Sequence, residues 1–179
     1  MLSLLASVAL AAPVFTKPVP WALNFAAPGD FCMVGDIDGD GFADLIRVSP
    51  KGEAFIDIAI NYQGMKCKVP QRANSKWGKD CQAACEGELD DTPGVDVVGL
   101  FGGDTLRLAH GFKDGTFKDE PEWLKLPGKI KDGRFEWLAS EHKLAVWNSR
   151  SGRGYEISLP AKSIEPLRLP GDTVWVYRS

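Results

Sequence analysis

The chain has 179 residues, of which 44% are hydrophobic and 25% charged, and its formal net charge is −3. This composition excludes wholesale disorder, and a domain of this length hides roughly 70% of its unfolded surface. The mildly acidic balance argues against nucleic acid as a partner.

Residues 1–12 are apolar and end in small side chains, and Ala9-Leu10-Ala11 fits a signal-peptidase site. The segment reads as an export leader, either short or with its start upstream, although it lacks a basic n-region. It is too short to span a bilayer, and no other run approaches that length, so no membrane span is expected. A secreted, extracellular or periplasmic location follows, and such compartments permit disulfides. The remaining stretch, 13–179, reads as one domain. Its Gly 19, Pro 12 and Trp 6, against Met 3, point to a turn-rich β protein. The first strand-like segment is 19–25.

Short β-forming flanks then enclose Asp36-Ile37-Asp38-Gly39-Asp40-Gly41-Phe42-Ala43-Asp44. Alternating carboxylates on a tight turn converge on one point. Left without a cation they would repel one another. Hard oxygen donors in this number suit Ca²⁺, which takes six to eight oxygens at about 2.3–2.6 Å. The expected ligands are Asp36, Asp38, Asp40, the backbone carbonyl of Phe42, and Asp44. An EF-hand is excluded: Arg47 stands where the bidentate Glu belongs, Ala43 where a branched aliphatic belongs, and the flanks are strands. A Pro50-Lys51-Gly52 turn and a strand over 54–61 follow.

The segment 63–82 is basic through Lys66, Lys68, Arg72, Lys76 and Lys79. A solvated insertion is preferred here over a docking loop for an acidic surface. The four cysteines are Cys32, Cys67, Cys81 and Cys85, and neither histidine lies near them, so no zinc pattern forms. They lean to disulfides. Cys67–Cys81 would close the insertion, and Cys32–Cys85 would join the first strands of neighbouring units, though all three connectivities stay open.

When Gly87 is set on Gly35, the acidic loop returns. Asp36, Asp38 and Asp44 correspond to Glu88, Asp90 and Asp96, while Asp40 has become Thr92 and Gly41 has become Pro93. This second frame, Glu88, Asp90, Thr92, Gly94 and Asp96, is expected to bind calcium weakly or not at all. A strand at 96–100, a Gly102-Gly103-Asp104 turn and a strand at 105–110 follow. Glu120-Pro121-Glu122-Trp123 reads as a connector. A third, fainter copy sets Leu144 on Leu45, with the loop shrunk to Ser140-Glu141-His142 and no cation site. Its hairpin turns at Ser151-Gly152-Arg153-Gly154, and a last strand reads at 172–177.

Each unit is strand, glycine turn, strand, which is a hairpin pattern. Repeats of such units, here roughly 28–78, 79–128 and 129–165, indicate propeller blades. The expected fold is therefore all-β, with about three antiparallel propeller-type blades. The ring would be incomplete, or completed by a composite fourth blade from 19–25 and 172–177, or by self-association with another chain. His110 and His142 accompany no catalytic motif, so polar turn roles are expected and no catalytic residue is assigned. Of Trp21, Trp77, Trp123, Trp137, Trp147 and Trp175, the pair Trp137 and Trp147 should pack blade against blade. At Trp77 and Trp123 packing is preferred over stacking on a sugar.

The run Gly35 to Ile46 resembles the FG-GAP/VCBS repeat of integrin-α-like β-propellers, and Leu106 to Phe117 resembles that repeat's end. The resemblance implies four-stranded blades with a structural calcium loop between the first two strands of each. It also implies an extracellular, non-catalytic module that binds proteins or glycans, as in adhesion. Such propellers usually carry more blades than this chain offers. Two other functions stand beside this one: a purely structural or degenerate propeller fragment, and a carbohydrate-active propeller enzyme with an axial cleft.

Overall fold

The computed structural model describes residues 27–50, 54–62, 66–67, 71–72, 77–92 and 94–169. The predicted strands at 19–25 and 172–177, and the leader, lie outside the described residues. What is described is all-β. Strands β1 (Phe31–Gly35), β2 (Asp44–Val48), β3 (Ile56–Ala59) and β6 (Gln71–Arg72) form one antiparallel sheet in that order. A small hairpin, β4 (Asn61–Tyr62) with β5 (Lys66–Cys67), is inserted between β3 and β6. The second sheet runs β7 (Cys81–Gly87), β8 (Asp96–Phe101), β9 (Thr105–Gly111), β10 (Phe117–Lys125). The third runs β11 (Gly133–Leu138), β12 (Lys143–Asn148), β13 (Arg153–Ser158), β14 (Ser163–Arg168). No described helix is long and apolar enough to cross a membrane.

The basic insertion is thus partly sheet. Lys66 falls in β5 and Arg72 in β6, the outer strand of the first sheet, while Lys68 and Lys76 lie outside the described residues. The stretch read as a Pro-rich connector is also a strand, β10. Pro121 falls within the register irregularity between Glu120 and Leu124, where a missing N–H breaks no ladder bond. Pro166 is carried on the edge strand β14, opposite Tyr155, for the same reason.

The first strands of the three sheets run side by side, with β7 packed against β1 on one flank and β11 on the other. Two cores fill the spaces between sheets. Ile46, Ile56, Trp77, Val97 and Phe101 belong to the first, and Val98, Leu100, Leu108, Leu144 and Ile157 to the second. Strand β8 therefore feeds both cores through alternate residues, which is why it is buried along its whole length. Each such side chain, fully buried, stabilises by about 1.5–3 kcal/mol.

Two equivalent glycines set the spacing of the sheets. A Cβ on Gly35 would lie 3.1 Å from Val95 Cγ1, and one on Gly87 would lie 2.7 Å from the Trp137 ring. Each glycine ends the first strand of its sheet and receives a side chain from the unit that follows, Val95 from just before β8 and Trp137 from β11. Trp77 is buried edge-on to Phe101 with ring centroids 5.8 Å apart, and Trp123 and Trp147 are buried too.

Candidate cation loops

Asp36 to Ala43 join β1 to β2, in a frame closed by the Gly35–Asp44 strand pair. The carboxylate oxygens of Asp36, Asp38 and Asp40 lie within 4.8 Å of one another. Backbone amides hold them. The Asp40 amide donates to Asp36 Oδ1 at 3.1 Å and to Asp38 Oδ1 at 3.2 Å. The Gly41 amide donates to Asp36 Oδ2 at 2.9 Å, and that of Phe42 to Asp40 Oδ1 at 2.8 Å. This winding passes through the left-handed region at Gly39 (φ +74°) and Gly41 (φ +86°), where a side chain would be strained. Phe42 itself lies exposed on the loop.

Asp44 sits at the base of the loop. It is fully buried, and its Oδ2 accepts the amide of Ile37 at 2.8 Å. The donor set that converges at the surface is thus the three alternating aspartates, with Asp44 fastening the loop beneath them. Three clustered carboxylates of hard oxygen character fit a Ca²⁺-type ion, which Asp36, Asp38 and Asp40 would hold.

The second loop keeps the frame, closed by the Gly87–Asp96 pair. Asp96 repeats Asp44: it is fully buried, and its Oδ2 accepts the Leu89 amide at 2.9 Å. Its Oδ1 accepts the Gly111 amide at 2.9 Å. Burial pushes the Asp96 carboxyl up to about 6, against the pull of the Gly111 amide and with help from the nearby Asp90 charge. Thr92 has turned from ligand to cap, its amide donating to Asp90 Oδ1 at 2.6 Å and its hydroxyl to the same oxygen. Burial works to raise the Asp90 carboxyl, but the bonds from Thr92 and His110 outweigh it and hold the group below its ordinary range. Gly94 packs against the Gly111 carbonyl. Glu88 is exposed and, with Asp36 and Lys113, lines a cleft of about 370 Å³ between the two loops.

One residue enters this site that the loop pattern does not contain. Asp90, Asp96 and His110 bring ligand atoms within 4.8 Å of one another. His110 lies on β9, one step beyond the Val97–Ala109 pair, and therefore beside Asp96. Its Nδ1 contacts Asp90 Oδ2, and its Nε2 lies 3.1 Å from Glu120 Oε2 on β10. The signal was the hairpin register: a polar residue paired across from Asp96 must face the loop.

The third loop is a single 3-10 turn, Ala139–Glu141. Lys143, paired with Leu138, replaces the buried aspartate and bonds to Glu156 at 2.8 Å and Glu141 at 3.4 Å. Those two carboxylates raise its pKa. His142 is exposed, with its ring 6.3 Å from that of Trp137.

Neither proposed disulfide forms: Cys32, Cys81 and Cys85 are free thiols. The reason for the second pairing's failure is register. Setting Gly87 on Gly35 makes Cys85 the counterpart of buried Met33, whereas Cys32 corresponds to Ala84. Neighbouring residues on a strand point to opposite faces, so the two thiols look away from each other. Cys81 instead donates to the Ala83 carbonyl at 3.1 Å and Cys85 to that of Glu86 at 3.2 Å.

No family model, no curated protein and no solved structure matches this chain.

Proposed function

We propose that this chain is an exported, calcium-stabilised repeat protein of the FG-GAP/VCBS propeller type, non-catalytic, that presents a surface to a protein or glycan. The observation that carries this reading is the convergence of Asp36, Asp38 and Asp40 on a loop between the first two strands of a four-stranded meander. The second sheet repeats that frame, with Asp96 in the place of Asp44. Side-by-side first strands with cores between successive sheets are the packing that propeller blades require. Calcium would tie the three aspartates together and add stability only to the folded state. A binding role draws support from exposed apolar side chains on the loops, Phe42 and Phe112. Isothermal titration of the chelator-treated chain with Ca²⁺ tests the reading. Uptake that disappears in Asp38→Ala supports it, and absence of uptake in the parent chain refutes the calcium claim. A glycan array, run with and without Ca²⁺, tests the glycan partner.

A further inference from the structure

We propose that Asp90, Asp96 and His110 form a second cation site, built for a borderline first-row dication of the Zn²⁺ class and not for Ca²⁺. Relative to the first loop, the third carboxylate has been lost: Thr92 stands in place of Asp40 and bonds to Asp90. The lost donor is replaced from a different strand by an imidazole, with all three ligand atoms within 4.8 Å. That exchange changes the chemistry of the site. Ca²⁺ takes oxygen donors, whereas one imidazole nitrogen with carboxylate oxygens suits Zn²⁺ and its neighbours.

The surroundings of the three donors point the same way. Glu120 Oε2 lies 3.1 Å from His110 Nε2, on the side of the ring away from Asp90. An outer carboxylate on the far ring nitrogen orients a metal-binding histidine and leaves the other nitrogen to the ion. Asp96 is held by the amides of Leu89 and Gly111, and Asp90 by Thr92, so both carboxylates are fixed before a cation arrives. Both Asp96 oxygens accept one bond each and keep a further lone pair for it, whereas Asp90 Oδ1 is filled by Thr92 and leaves Oδ2 as the donor. A dication at Nδ1 needs that nitrogen's lone pair, so its uptake competes with protons.

The inference does not rest on calcium in the first loop, and the two claims separate experimentally. The full chain, saturated with Ca²⁺, is titrated with Zn²⁺ while the imidazole nitrogens are followed by NMR. The sequence contains His 2, so every imidazole signal belongs to His110 or His142. One equivalent of Zn²⁺ should move the His110 signals and leave those of His142 in place. His110→Gln should weaken uptake by at least about tenfold and Glu120→Gln by about tenfold, the usual scale for an orienting partner. Asp38→Ala, which removes only the calcium loop, should leave Zn²⁺ uptake unchanged. Zn²⁺ that leaves His110 unmoved, or that moves only His142, overturns the proposal. Where His110→Gln fails to fold, the parent and His142→Ala spectra decide the question between them.

Discussion

Asp44 Oδ2 accepts the amide of Ile37 at 2.8 Å, and both residues are buried. The bond ties the second residue of the acidic loop to the first residue of β2. Asp96 makes the same bond to Leu89 in the next sheet. This recurring buried aspartate is the clamp under the loop, and the bond it makes to the loop amide needs no cation.

Asp44→Ala should destabilise the metal-free protein by about 1–3 kcal/mol, because it leaves the buried Ile37 amide without its acceptor. Asp38→Ala, a change among exposed loop carboxylates, should cost less than 0.5 kcal/mol under the same conditions. Urea denaturation in the presence of chelator measures both. Equal losses would show that Asp44 has no clamping role.

With calcium present the ranking changes. At a Ca²⁺ concentration about a hundred times the Kd, linkage adds about 2.7 kcal/mol to the parent chain. The melting temperature should then rise by several degrees over the chelated sample, and Asp38→Ala should erase the difference. Identical melting curves for the parent with Ca²⁺ and with chelator would remove the first loop from consideration as a calcium site.

Gly87→Ala should cost about 1–3 kcal/mol, since its Cβ would come within 2.7 Å of the Trp137 ring. The equivalent change at Gly35 should cost less, because Val95 is 3.1 Å away. Trimming the obstacle supplies the check. In the Trp137→Leu background Gly87→Ala should lose most of its penalty, and additive effects in that double-mutant cycle would refute the contact.

Thiol reactivity should separate the cysteines. Burial pushes Cys81 and Cys85 up to about 12, so almost no thiolate is present at pH 8. Cys32, which is exposed, should alkylate before Cys81 and Cys85 in the native protein, although partial burial and Asp30 raise its thiol as well. Cys81 and Cys85 should label only after denaturation. Peptide mass spectrometry after iodoacetamide treatment reads the order, and a Cys67–Cys81 peptide pair would contradict the free thiol at Cys81.

The sequence by itself determined the strand–loop–strand frame and its repetition, because both are local. Alternating aspartates, glycines that permit the turn and short β-forming flanks lie within a few residues of one another. Setting Gly87 on Gly35 therefore aligned Asp96 with Asp44 before any contact was visible. The two strands that carry Pro121 and Pro166 were hidden, because a proline is tolerated in a sheet only at an irregularity or an edge, and nothing local marks either. Tertiary structure alone decided what faces what. A shift of one residue turns a side chain to the other face of a strand, which separates Cys32 from Cys85. The register of β8 on β9 brings His110 to Asp90 and Asp96, and the stacking of one sheet on the next puts Trp137 over Gly87. The turn at 102–104 sets the β8–β9 register, but the fold of the acidic loop over that hairpin and the spacing of the sheets depend on the two packed cores and on no single stretch of the chain.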